Sequence, residues 1–115
     1  MAFDPGLAQI FEDDLSDHSG ISSCKMFGGL CFQHNGHMIC GVHKSKDKQS
    51  DMAMFRVGPE LYEAALELKG VSELSFTGRP MKGMVETDDR VFDDDELRAK
   101  LIEMALTFTS GLPPK

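Results

Sequence analysis

Asn35-Gly36, set between two short apolar runs, is the feature that most limits what this chain can become. A two-residue type I′ turn needs positive φ at both central positions, and asparagine followed by glycine tolerates that best. Leu30–His34 and His37–His43 should therefore be neighbouring antiparallel strands. Gly28-Gly29 marks an earlier turn, so strands are predicted over 23–28, 30–34 and 37–43. An unbroken register from the turn sets His34 opposite His37, Gln33 opposite Met38, Phe32 opposite Ile39 and Cys31 opposite Cys40. The last pair falls at a non-hydrogen-bonded site, where Cα atoms lie about 4.5 Å apart, just inside disulfide range. Cys31 and Cys40 are thus the candidate redox pair, set against the ordinary reading of two small buried hydrophobes.

Outside the hairpin, the pattern alternates between helical and extended periods. Asp4-Pro5 supplies a cap and a first-turn proline, and Leu7, Ile10, Phe11 and Leu15 follow at helical spacing up to Ser19-Gly20. Met52–Val57 alternates Met52, Met54 and Arg56 against Ala53, Phe55 and Val57, as a strand does. Gly58-Pro59-Glu60 opens a second helix that Gly70 closes. Short strands at Leu74–Phe76 and Met84–Thr87 flank a glycine- and proline-rich turn. Asp93-Asp94-Asp95-Glu96 caps a third helix with Leu97, Leu101, Met104, Ala105 and Phe108 on one stripe. The predicted fold is α+β and two-layered: an antiparallel sheet made of a β meander plus a later hairpin, with three helices, in the order α-β-β-β-β-α-β-β-α.

A chain of 115 residues with 41% hydrophobic side chains suits one domain, 1–115, around a single core. No basic-then-apolar leader and no apolar run of about 20 residues is present, so a cytoplasmic protein without a membrane span is expected. Three cysteines, Cys24, Cys31 and Cys40, without a C-x-x-C spacing suit neither a disulfide framework nor a zinc ribbon. The net charge of -7 repels phosphate backbones, which disfavours direct nucleic-acid binding.

Chemistry-bearing residues do not assemble into a familiar site. His34, His37 and His43 lie near cysteines, but strand alternation puts His34 and His37 on one face and Cys31 and Cys40 on the other, so no metal set converges. The two turn histidines read as solvated. Eight methionines read as flexible core filler, since Met26, Met38 and Met81 are too far apart in sequence for a copper motif. Ser22 and Ser23 lack a nucleophile elbow, and Gly28-Gly29 lacks the rest of a dinucleotide loop. A non-catalytic protein with no cofactor is expected. The one distinctive loop, Thr77–Gly83, gathers two cations in an acidic chain: Gly78, Arg79, Pro80, Lys82 and Gly83 form the candidate anion or partner loop, weighed against a rigid turn.

Lys25-Met26-Phe27-Gly28-Gly29, Asn35-Gly36, Gly78-Arg79-Pro80-Met81-Lys82-Gly83 and Leu112-Pro113-Pro114-Lys115, in that order and spacing, resemble the N-terminal domain of the TfoX/Sxy family. The resemblance implies a bacterial two-layer α+β domain. Longer members regulate natural competence together with a cyclic-AMP-dependent transcription activator and carry a helical C-terminal domain; a stand-alone N-terminal domain is expected here. Three functions follow. The first is a regulatory protein-interaction module that uses a sheet edge or apolar face, with transcription machinery or a second copy (a homodimer) as partner. The second is a nucleic-acid-associated regulator built on Lys44, Lys46, Lys48, Arg79 and Lys82. The third is a small enzyme or ligand-binding domain that assembles Cys24, Tyr62 and Arg79.

Overall fold

The Asn35-Gly36 turn adopts the conformation its chemistry favours, with φ of 53° at Asn35 and 87° at Gly36. The computed structural model describes residues 5–26, 29–44, 51–73 and 83–113. In chain order these form α1 (Pro5–Leu15), β1 (Ile21–Met26), β2 (Gly29–His34), β3 (His37–Lys44), β4 (Asp51–Arg56), α2 (Tyr62–Leu66), β5 (Val71–Glu73), β6 (Met84–Thr87) and α3 (Asp95–Ser110). The α+β class and the element order are as the sequence indicates. All six strands join one antiparallel sheet in the order β1-β2-β3-β4-β6-β5, so β6 inserts between β4 and β5.

Several boundaries move. β1 begins at Ile21 rather than 23. The strand predicted at 74–76 lies outside the described residues, and the strand paired with β6 is Val71–Glu73. α2 is confined to five residues because Leu61, at its N-cap, has no side-chain acceptor to hold the first free N–H groups. α3 starts where Asp94 accepts a hydrogen bond from the Leu97 N–H at 3.0 Å. A 3-10 helix at Asp89–Asp93, which the periodicity does not announce, precedes it. Its start is set by Asp88, which accepts from the Arg90 N–H.

The register of the central hairpin corrects the cysteine expectation. His34 faces His37 and Gln33 faces Met38, but the pairing then shifts: Phe32 faces Cys40 and Cys31 faces Gly41. Ile39 is the extra residue of a β-bulge. Burial explains it. The bulge lets Ile39 and Cys40 both enter the core that also holds Phe32, whereas unbroken alternation would turn Cys40 to the opposite face. Cys31 and Cys40 are therefore not a cross-strand pair and lie in separate clusters on the two sides of the sheet.

All three helices cover one face. Phe11 of α1 sits at the centre of that core, with ring centroids 6.1 Å from Phe32, 5.7 Å from Phe55 and 5.9 Å from Phe92. These tilted and edge-on contacts add to the area each ring buries. Ala65 of α2 and Leu101, Ile102 and Ala105 of α3 complete the layer.

One buried cation fastens the helices together. Arg98, 5% exposed, donates through Nε to Asp14 of α1 at 2.8 Å and through Nη1 to the carbonyls of Val91 and Phe92 at 3.2 and 2.9 Å. Its Nη2 reaches Asp95. Replacing it with leucine leaves those carbonyls and Asp14 without their donor. Arg98→Leu is expected to lose roughly 3 kcal/mol in urea unfolding. Arg90→Ala, which breaks an exposed pair with Asp88, is expected to lose less than about 1 kcal/mol.

Candidate functional site: the free edge of strand β1

β1 ends the sheet, and among the described residues no strand pairs with its outer side. The Gly20 carbonyl accepts from the Asn35 N–H at 2.9 Å, which makes Ile21 and His34 a non-hydrogen-bonded pair. Alternation then turns the backbone groups of Ser22, Cys24 and Met26 toward β2 and those of Ile21, Ser23 and Lys25 outward. Ser22, Ser23 and Lys25 are exposed. β1 carries little edge protection of its own: it contains no proline, its pairing with β2 has no bulge, and the exposed Lys25 is its one charge.

A groove of about 320 Å³ runs beside this edge on the helix-covered face. Leu15, Ile21 and Phe32 line its floor, with Glu12, Ser16 and His18 at the rim. His18 also borders a larger depression of about 640 Å³ between α1 and α3, which Asp14, His34 and Glu103 line. Glu12 of α1 brings a carboxylate to the groove, and Asp13 and Asp17, exposed but not part of its lining, follow close by in the chain.

The turn histidines are not solvated as expected; they anchor the end of α3. His37, 8% exposed, contacts the Pro113 carbonyl through Nε2 at 2.6 Å, and a carbonyl can only accept, so His37 donates. His34 Nδ1 lies 3.0 Å from Thr109 Oγ1. Because the Thr109 hydroxyl proton goes to the Leu106 carbonyl, His34 is the donor here as well.

The sequence candidates distribute as follows. Gly78, Arg79, Pro80 and Lys82 lie outside the described residues. Gly83 is described, and its carbonyl accepts from the N–H groups of Val57 and Gly58 at 2.9 and 3.0 Å, which ties the end of that loop to β4. The side chain of Lys44, with Lys46 and Lys48, is also outside the described residues. Cys24 and Tyr62 do not converge: Cys24 is on the β1 edge, while α2, which carries Tyr62, packs on β5 and β6 at the other edge. Among the described residues, no group of three His, Cys, Asp or Glu side chains is placed to hold a metal ion. Nor is any described helix long and apolar enough to cross a membrane.

The cysteine that does face Cys31 is Cys24, across β1 and β2. Burial pushes the Cys31 thiol up to about 11, with the neighbouring Cys24 adding to the effect. Cys40, fully enclosed, is raised further for the same reason, with smaller additions from Cys31 and Asp14. On the face away from the helices, His43 of β3 lies 3.9 Å from Glu86 of β6, both side chains under a tenth exposed. Burial lowers the His43 pKa, and Glu86 only partly offsets this.

These features define a small α+β domain with one helix-covered sheet face and, among the described residues, an unpaired edge on β1. A family model described as the TfoX N-terminal domain matches residues 13–109, and the chain belongs to that family. The fold is also similar to a crystal structure of a Pseudomonas syringae protein from the Northeast Structural Genomics Consortium, with a TM-score of 0.64 at 16% identity, over 88% of this chain and 97% of that one. At that identity the likeness extends to the fold alone. No curated protein matches.

Two outcomes follow from the burial of these groups. A thiol-alkylating reagent at pH 8 should modify Cys24 first in the native protein, with Cys31 and Cys40 reacting only once denaturant is added; peptide mass mapping reads the order. A depressed histidine pKa means the unfolded state binds the extra proton first. Stability should therefore fall as pH drops from 7.5 below the unfolded value near 6.5, until the lower folded pKa is reached. Urea midpoints of wild type and His43→Gln over pH 7.5–5.5 test this, the variant being expected to show a shallower slope.

Proposed function

We propose that this domain is a non-catalytic regulatory module that binds a partner protein by accepting an extended segment of it along β1. The observation that carries this reading is the β1 edge, whose outward backbone groups lie beside a side-chain groove. Strand addition obtains affinity from main-chain hydrogen bonds and selectivity from pockets that take alternate side chains. The groove floor of Leu15, Ile21 and Phe32 suits one apolar side chain of the added strand. The Glu12 carboxylate at the groove favours a basic residue flanking it.

Family membership supports a partner in the transcription machinery, since the longer relatives regulate competence with a transcription activator. A second copy of this chain, pairing β1 with β1 about a two-fold axis, would use the same edge. Direct binding to nucleic acid is less well supported, because the net charge is -7 and Glu12 brings a carboxylate to the groove beside the edge.

Ser23→Pro is the discriminating variant. It removes an outward N–H that β2 does not use, so the β1–β2 ladder and the fold should persist. In-cell crosslinking of wild type should recover a reproducible protein partner that Ser23→Pro loses, with binding weakened by salt. Light scattering shows whether that partner is a second copy. Equal recovery by both proteins, with circular dichroism unchanged, would rule out the edge.

A further inference from the structure

We propose that the helix-free face of the sheet holds a binding site for a soft monovalent metal ion of the copper(I) type, with Cys31, Met54 and Met84 as its buried sulfur donors.

Sulfur is unevenly distributed between the two faces of the sheet. On the helix-covered face, the buried core is built from Phe, Leu, Ile, Val and Ala, with Cys40 its one buried sulfur side chain among the described residues and partly buried Met104 packed against it. On the other face, every buried member of the cluster carries sulfur: Cys31 at 0%, Met54 at 1% and Met84 at 7% exposure, with partly buried Met38 packed against them. Apolar packing alone gives no reason for such a separation, because leucine and isoleucine fill space as well on either face. Thioether and thiolate are the ligand types that select Cu(I).

Position strengthens the case. One row of the sheet runs Cys24, Cys31, Gly41, Met54, Glu86 across β1, β2, β3, β4 and β6. Gly41 has no side chain, and the ends of its two neighbours converge above it: a Cβ there would lie 3.1 Å from Met54 Cε and 3.3 Å from Cys31 Sγ. The space over Gly41 is thus shared by the Cys31 sulfur and the terminal methyl of the Met54 thioether. His43, two residues along β3 and so on the same face, offers an imidazole with the Glu86 carboxylate 3.9 Å behind it. A carboxylate behind a ligating histidine is the usual outer-shell partner. Half-buried Cys24 and Met38 border the cluster on its solvent side.

The charge balance favours a monovalent ion. When the S–Cu bond forms, the Cys31 thiol gives its proton to solvent, and one thiolate neutralises one Cu(I). The selection against divalent ions comes from the donors, since two thioethers and a thiolate are soft ligands that favour Cu(I).

The test uses the full reduced chain under anaerobic conditions. Cu(I) is titrated in competition with a bicinchoninate chelator, and Ag(I), which is redox-inert here, is added to protein labelled with 13C at the methionine methyls. One equivalent of Cu(I) should be withdrawn from the chelator. The Met54 and Met84 methyl signals should shift with Ag(I) while that of Met104, on the helix side, stays. A Met54→Leu/Met84→Leu double variant, which conserves volume, should bind at least about tenfold more weakly. Failure to withdraw Cu(I), or stationary Met54 and Met84 signals with binding confined to the thiols, would overturn the assignment. If the double variant does not fold, the methyl shifts of the wild type decide.

Discussion

One extra residue in β3 settles the chemistry of both faces of this sheet. Because Ile39 is bulged, Cys40 turns in beneath the helices and Gly41 takes the place opposite Cys31. Had the strands paired without it, every residue of β3 beyond Ile39 would project to the other side. Cys40 would then stand among the methionines, and Gly41 would leave a void in the aromatic core around Phe11. The bulge is held in place by what it buries, since Phe32, Ile39 and Cys40 are each no more than 1% exposed.

Much of the fold could be read from the sequence because its signals are local. Asn35-Gly36 fixed one turn through φ, Asp94 fixed a helix start through its carboxylate, and the alternation of Met52–Val57 marked which side of β4 meets the helices. What could not be read depends on contacts distant in sequence. A bulge leaves no mark in a run such as Met38-Ile39-Cys40, where each residue is apolar and either register buries something. The insertion of β6 between β4 and β5 is likewise a choice of topology, not of propensity. Arg98 gave a weak signal, a cation within the apolar run of α3 that also carries Lys100, and its partner Asp14 lies 84 residues away. The pairing of Cys24 with Cys31 was accessible in principle, by counting back from Met26 opposite Gly29 through the first hairpin.

The candidate site shows the same division. An edge strand is defined by what is missing beside it, so no local pattern in Ile21–Met26 distinguishes it from an interior strand. The methionines looked scattered because Met38, Met54 and Met84 belong to three different strands, and only the sheet order brings them together. The helix-covered face supplies stability through Phe11 and Arg98, the β1 edge turns backbone groups outward beside a groove, and the sulfur-bearing face is chemically distinct from both.

The measurement that bears most directly on this account is a map of cross-strand Hα–Hα contacts by NMR on the reduced protein. The bulged register should show close Hα–Hα pairs at Gln33–Met38 and Cys31–Gly41, with Ile39 left without a partner on β2. A close Cys31–Cys40 pair, with Ile39 directly opposite Phe32, would contradict the register and with it the separation of the two faces.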